Sequence, residues 1–292
     1  MNILLLEPDI YKNVNFKKIP NLKKIFFFKK KKKKYFTKIN AIFTGLKYPI
    51  NNEFIKNFKN LKYIVTPTTG LDHIQIENDN IKIINLNPKE IPEISATAEH
   101  TLLLILIMLK KIPHLFSRKF NREKMRSNQL SKKRILIIGR GRIGRKLGNY
   151  CKILNMKVFY YDKNYSKKKF YLNLMNANII SININSYGNK NFFSKELFSK
   201  CKSFPYLINT SRPQVVEKKY LYDAIDKRII NGYAMDFSSF DDEKKNCKIK
   251  KYIKNGLIFT TPHIAGNTHE SISISSSKVF KKFLRDYESK YK

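Results

Sequence analysis

Gly139-Arg140-Gly141-Arg142-Ile143-Gly144 stands between two apolar runs, and this setting limits the possible folds more than any other feature of the chain. Arg134-Ile135-Leu136-Ile137-Ile138 leads into it, a helical stretch leaves it, and Lys157-Val158-Phe159-Tyr160-Tyr161 ends on Asp162. Strand, glycine turn, helix, strand and acid in this order form a βαβ dinucleotide fingerprint. Gly139, Gly141 and Gly144 permit a tight turn, close approach of backbone to a pyrophosphate, and packing of helix on strand. The N–H groups at the helix start (Arg142, Ile143) face the phosphates. Asp162 would accept hydrogen bonds from the adenosine ribose hydroxyls and repel a 2′-phosphate, so NAD is expected and NADP disfavoured; Lys163 beside it works the other way. A chance glycine turn would not bring all of these parts into register.

With 292 residues and 42 % apolar content, the chain can bury one large core or two medium ones. Its formal net charge of +37 raises the possibility of a nucleic acid or anionic membrane partner. The basic residues, however, are spread along the whole chain. Lys outnumbers Arg, Asn, Ile, Phe and Tyr abound, and Trp is absent, as A/T-rich codons dictate. Neither nucleic acid nor membrane is therefore expected as a partner. The run Lys29 to Lys34 reads as a solvated loop or helix start. Cys151, Cys201 and Cys247 lack metal-ligand spacing and suit structural thiols in a reducing cytoplasm. Met1 to Leu6 reads as a first strand rather than a signal segment, and the longest apolar stretch, Thr101 to Leu109, is too short for a membrane span.

Short strands alternate with helical stretches throughout. Ile3–Leu6, Lys24–Phe28, Ala41–Thr44, Tyr63–Thr66 and Lys82–Asn85 predict a small parallel α/β unit. Leu71-Asp72-His73-Ile74 predicts a helix start. A long apolar helix follows from Ala98 to Ile112, with Lys110, Lys111 and Pro113 as stop signals. Ser117 to Lys133 reads as an exposed connection. Beyond the glycine turn, strands are predicted at Ile179–Ile184, Tyr206–Thr210, Gly232–Asp236 and Leu257–Thr260, and Glu270 to Lys292 as an amphipathic helix. The alternation predicts a doubly wound parallel sheet.

Four downstream segments carry chemistry: Leu207-Ile208-Asn209-Thr210-Ser211-Arg212, Ala234-Met235-Asp236, Asp241, and Thr261-Pro262-His263-Ile264-Ala265-Gly266. With the glycine turn they resemble the D-isomer-specific 2-hydroxyacid dehydrogenases, the family of phosphoglycerate dehydrogenase and hydroxypyruvate reductase. The resemblance covers essentially the whole chain. Thr66-Pro67-Thr68-Thr69-Gly70-Leu71-Asp72-His73-Ile74 is similar to the family's substrate loop, and Thr97-Ala98-Glu99-His100 to the start of its interdomain helix. The resemblance implies a Rossmann NAD domain (96–266) and a smaller flavodoxin-like α/β substrate domain (1–95, completed by 267–292).

It also implies roles. His263 would be the acid/base that exchanges a proton with the substrate C2 oxygen, a task suited to an imidazole. Arg212 would bind the substrate carboxylate, where a planar guanidinium suits better than an ammonium. Asp236 would contact the nicotinamide carboxamide, with Thr210 and Gly266 also at the cofactor. The family's glutamate partner of the histidine is replaced by Asp241, one methylene shorter, or its place is taken by Glu243. Backbone N–H groups at Thr69 and Gly70 would meet the substrate carboxylate, and Lys47 stands where some relatives carry a basic residue for an anionic tail. Asn185 occupies a position where the family often has proline. His73, His100, His114 and His269 read as structural. A homodimer through the NAD domain is implied as well. The competing reading is a non-catalytic NAD(H)-binding regulatory or scaffold protein on the same fold, against which the retention of Arg212 and His263 argues.

Overall fold

The computed structural model describes residues 1–28, 35–115, 123, 126–237 and 247–289. Lys29 to Lys34 and Asp241 lie outside the described residues, as does most of the segment between Ser117 and Arg126. The chain divides into two compact units: Met1–Ile94 with His269–Lys292, and Ser95–Thr268.

In the first unit, β1 (Asn2–Leu5), β2 (Lys24–Phe27), β3 (Ala41–Phe43), β5 (Tyr63–Val65) and β7 (Lys82–Ile84) pair in parallel in the order β2-β1-β3-β5-β7. Counting these five alone, this is the 2-1-3-4-5 order of flavodoxin-like sheets. Ile3, Leu4, Ile42 and Ile64 are fully buried, as continuous apolar strands covered on both faces require. The helix His269–Glu288 turns Ser276, Val279, Phe280, Phe283 and Tyr287 inward at helical spacing. The Phe283 ring meets Phe43 and Tyr63 edge-on at centroid distances of 5.2 and 5.4 Å.

Two-residue strands β4 (Ile50–Asn51) and β6 (Ile74–Gln75) pair beside this sheet, with α1 (Asn52–Ile55) following β4. The helix start expected at Leu71–Ile74 is therefore a turn, closed by Ile74 N–H donating to the Leu71 carbonyl, running into β6. Glu77-Asn78-Asp79-Asn80 follows at once, and its Asn and Asp residues favour turns over helix.

The second unit holds β8 (Arg134–Ile138), β9 (Lys157–Tyr161), β10 (Ile179–Ile182), β11 (Tyr206–Asn209), β12 (Gly232–Met235) and β13 (Ile258–Thr260). They form one parallel sheet in the order β13-β12-β11-β10-β8-β9. The order reverses between β8 and β10, so their carboxyl ends mark the topological switch point where ligands bind in open α/β sheets. Alternation along β8 sends Ile135 and Ile137 to one face and Leu136 and Ile138 to the other. The first face packs on α2 (Ala96–Leu109) and α4 (Arg142–Ile153) through Leu104, Ile105, Met108 and Leu147. The second packs on α5 (Lys167–Met175), α6 (Lys195–Ser199), α7 (Lys218–Asp226) and α8 (Cys247–Lys254). Helix α2 ends at Leu109, short of the expected Ile112, because Lys111 adopts a left-handed φ of 55°. Pro113 then occupies the second position of α3 (Ile112–Leu115), where its missing N–H costs nothing.

One register row organises the carboxyl edge of this sheet. Tyr161, Ile138, Ile182, Asn209, Met235 and Thr260 are aligned partners across all six strands. Among the described residues no helix is long and apolar enough to cross a membrane.

Candidate active site

One position beyond that row stand Asp162, Gly139, Asn183, Thr210, Asp236 and Thr261. The ladder continues into them: Gly139 N–H donates to Tyr161 (2.8 Å), Asn183 N–H to Ile138 (2.8 Å) and Thr261 N–H to Met235 (3.0 Å). Residues far apart in sequence thus meet at one edge because parallel pairing aligns the strand ends.

The glycine turn is sterically committed. Gly139 has φ +99°, and a Cβ there would lie 2.6 Å from the Asn183 carbonyl oxygen. A Cβ on Gly144 would lie 2.0 Å from the Gly139 carbonyl oxygen, so the helix can approach the strand only through glycine. Gly141, the N-cap of α4, has open space where a Cβ would be, and no side chain caps that helix. Asp162 Oδ2 accepts from Arg140 N–H at 3.0 Å and Oδ1 from Lys163 N–H at 2.8 Å. This fixes the carboxylate at the rim of a cavity of about 250 Å³ lined by Gly139, Gly141, Tyr161, Asn183, Asn185 and Phe192 among others. Within that lining, Asn183 Oδ1 is buried without a hydrogen-bond partner among the described residues. A clear helix N-terminus, an open glycine, a fixed acid and an unpaired buried acceptor fit an adenine dinucleotide.

Arg212 follows β11 on a turn that Asn209 holds. Asn209 is fully buried; its Oδ1 accepts from Ser211 N–H (2.9 Å), and its Nδ2 donates to the Arg212 carbonyl (3.0 Å) and to the Tyr233 hydroxyl (3.2 Å). The Ser211 hydroxyl donates to the Ile184 carbonyl. The Arg212 guanidinium donates through Nη1 to the Ser211 carbonyl at 3.0 Å.

Asp236 grips the loop that carries His263. Its Oδ1 accepts from the Thr261 hydroxyl (2.5 Å) and Ile264 N–H (2.9 Å), and its Oδ2 from Ala265 N–H (2.7 Å). Asp236 is 2 % exposed, and the hydrogen bonds its carboxylate accepts come from the loop itself. Between these anchors His263 is exposed at a left-handed φ of 59°, an uncommon conformation for a residue other than glycine. Such a strained position persists only when its surroundings hold it. A Cβ on Gly266 would meet Thr97 Oγ1 at an ordinary 3.8 Å, so sterics do not demand glycine there.

Behind the loop, His100 Nε2 lies 2.9 Å from Thr261 Oγ1 and 3.7 Å from Asp236 Oδ1. Burial lowers the His100 pKa more than the Asp236 carboxylate raises it. Sequence reasoning had left His100 as a structural residue. Its signal is the polar spacing Thr97, His100, Thr101 within an otherwise apolar helix.

In the first unit, Glu7 Oε1 accepts from Gly45 N–H (2.8 Å) and Lys47 N–H (3.1 Å), which fixes the backbone of Lys47. The Thr68 hydroxyl donates to the Gly70 carbonyl at 2.8 Å. Gly70 is not among the glycines of positive φ, so that turn does not draw on glycine's extra freedom.

Comparison with known proteins follows the same line. Residues 104–265 match the family described as D-isomer specific 2-hydroxyacid dehydrogenase, NAD binding domain. The chain is similar to a D-3-phosphoglycerate dehydrogenase of Archaeoglobus fulgidus, 27 % identical over 290 residues, covering 93 % of this chain and 54 % of that protein. The chain thus spans about half the length of that relative. Its fold is similar to that of a D-lactate dehydrogenase from Aquifex aeolicus in complex with NAD and lactic acid (TM-score 0.75, 22 % identity, 99 % and 97 % of the two chains). It is also similar to that of an NAD-dependent formate dehydrogenase from Staphylococcus aureus (TM-score 0.77, 20 % identity, 98 % and 96 %). With more than half of its length matched, this chain belongs to the D-isomer specific 2-hydroxyacid dehydrogenases and contains their NAD-binding domain.

Proposed function

We propose that the chain interconverts a D-2-hydroxyacid and its 2-oxoacid with NAD as cofactor. The observation that carries this reading is the joint presence, at one sheet edge, of the dinucleotide turn, the braced Arg212 turn and the loop gripped by Asp236 that exposes His263. When bound, the cofactor supplies the hydride acceptor or donor. The chain's own residues do the rest. Arg212 orients the substrate carboxylate and polarises the C2 carbonyl, and His263 gives a proton to the C2 oxygen in reduction or takes it in oxidation. Asp241, outside the described residues, supplies the carboxylate that keeps imidazolium available, with Glu243 as the alternative.

We further assign the first unit the substrate role. The Thr69–Gly70 amides would meet the substrate carboxylate, and Lys47 an anionic tail; both rest on the resemblance stated above. Asp236 and Thr210 are proposed at the nicotinamide end, and Gly266 beside it. A homodimer through the NAD domain and a reducing cytoplasm complete the reading. Burial that pushes the Cys151 and Cys201 thiols up to about 12 supports inert structural thiols.

The test is an NADH-oxidation screen over 2-oxoacids, including hydroxypyruvate, glyoxylate, pyruvate and 3-phosphohydroxypyruvate. Turnover of at least one is expected. Protein that binds NADH tightly and reduces none of them would instead be an NAD(H)-binding scaffold.

Cofactor choice has its own test. Asp162→Ala is expected to weaken NADH by roughly tenfold or more, the worth of hydrogen bonds to a charged acceptor, and to narrow the preference over NADPH. Fluorescence titration of both nucleotides reads it. An unmoved NADH/NADPH ratio would remove the ribose role from Asp162.

A further inference from the structure

Helix α2 is apolar along most of its length, and its last two turns pack Leu104, Ile105 and Met108 against the sheet. Its beginning differs. Thr97, His100 and Thr101 fall at i, i+3 and i+4 and so share one face, while Glu99 is exposed on another. Thr101 is fully buried and the His100 side chain is 12 % exposed, so this stripe does not serve solvent.

The hydrogen bonds have a fixed direction, because a hydroxyl has a single proton to donate. Thr101 Oγ1 gives its proton to the Thr97 carbonyl at 2.6 Å. The 2.7 Å contact between Thr101 and Thr210 is therefore a donation from Thr210. Thr261 gives its proton to Asp236 at 2.5 Å, so the 2.9 Å contact with His100 is a donation from Nε2–H of the imidazole. One helix face thus accepts from the residue two before Arg212 and donates to the residue two before His263.

We propose that His100 and Thr101 are positioning residues, a two-point brace on α2 that holds the Thr210-Ser211-Arg212 turn and the Thr261–Ala265 loop in a fixed relation to each other. A packing role alone would be served by apolar residues at both positions, as it is one turn later at Leu104 and Ile105. A brace needs an acceptor at 101 and a donor at 100. The lowered pKa of His100 agrees with a neutral imidazole holding its proton on Nε2. Only the kinetic consequence of the brace rests on the dehydrogenase reading.

The experiment compares wild type, His100→Leu, His100→Gln and Thr101→Val. Amide hydrogen exchange is measured first, on protein without cofactor. His100→Leu is expected to lose about tenfold of its protection at Ile264 and Ala265, the two amides bound by Asp236, as expected for losing one hydrogen bond from a local unit. Leu136 and Ile180 in the sheet interior should keep theirs. His100→Gln, which retains an N–H donor, should restore protection at Ile264 and Ala265. Thr101→Val should loosen the Ser211 amide and leave Ile264 unchanged.

Unaltered protection at Ile264 and Ala265 in His100→Leu overturns the brace. So does an equal loss throughout the sheet, or a failure of glutamine to restore what leucine removes. On a 2-oxoacid that wild type reduces, His100→Leu should lower kcat about tenfold with KM for NADH unchanged. Unaltered kcat in a loosened loop overturns the positioning role. If wild type reduces no 2-oxoacid, the dehydrogenase reading fails while the exchange data still decide the brace.

Discussion

Replacing His263 by alanine is expected to lower turnover of a 2-oxoacid by a factor on the order of 10²–10⁴, the range for losing a general acid/base. NADH binding should survive, because His263 is an exposed loop residue and the glycine turn and Asp162 belong to other strands. The loop should also keep its shape: the grip on it runs through Asp236 to the amides of Ile264 and Ala265, not through the imidazole. The reductive pH profile gives a second signature. Wild-type kcat/KM should fall as pH rises and imidazolium is lost, and His263→Ala should lose that limb. Stopped-flow NADH oxidation with a parallel binding titration separates the two effects. An unchanged rate would end the assignment of His263 as the proton donor.

Arg212→Gln is expected to lower kcat/KM for the same 2-oxoacid by a factor on the order of 10²–10⁴. A forked guanidinium gives a carboxylate two charge-assisted hydrogen bonds, each worth about 1.5–3 kcal/mol. The turn itself should hold, since Asn209 fixes it through the Ser211 amide and the Arg212 carbonyl. Arg212→Lys should recover only part of the loss, because an ammonium keeps the charge without the fork. An uncharged ketone lacking the carboxylate provides the control: its slow reduction should lose clearly less to Arg212→Gln, because only the polarisation of the carbonyl is then removed. An equal loss on both substrates would mean that Arg212 acts on the carbonyl or the fold rather than on the carboxylate.

Much of this was legible along the chain. Each long strand was marked by a β-branched or aromatic run, and Asp162, Thr210 and Asp236 follow such runs, so they could be read as strand ends. Periodicity is a local signal, and these features are local. What escaped notice was set by distance in sequence. His100 meets Thr261 across 161 positions, and Thr101 meets Thr210 across 109. Nothing near His100 announces either contact beyond three polar residues at helical spacing. The turn at Leu71–Ile74 was misread for a related reason: the pairing of Ile50 with Ile74 that makes it a strand lies outside any local window. Asp236 was expected to face a ligand; in the structure its carboxylate holds the loop that carries His263, which its position at a strand end could not disclose.

The common register row at the carboxyl edge has a bearing on how far this sequence can drift. Slipping any one strand by a single residue would move the residue at its carboxyl end by about 3.3 Å and turn it to the opposite face. Six parallel strands hydrogen-bonded in one alignment resist such a slip collectively. Changes on the solvent side of the connecting helices leave the alignment untouched. A chain can therefore carry a formal charge of +37 and no tryptophan while the residues at the carboxyl edge stay level. Substitutions on the solvent side of the helices are therefore expected to cost little, and those at the end of the sheet where the strands stop together to cost much.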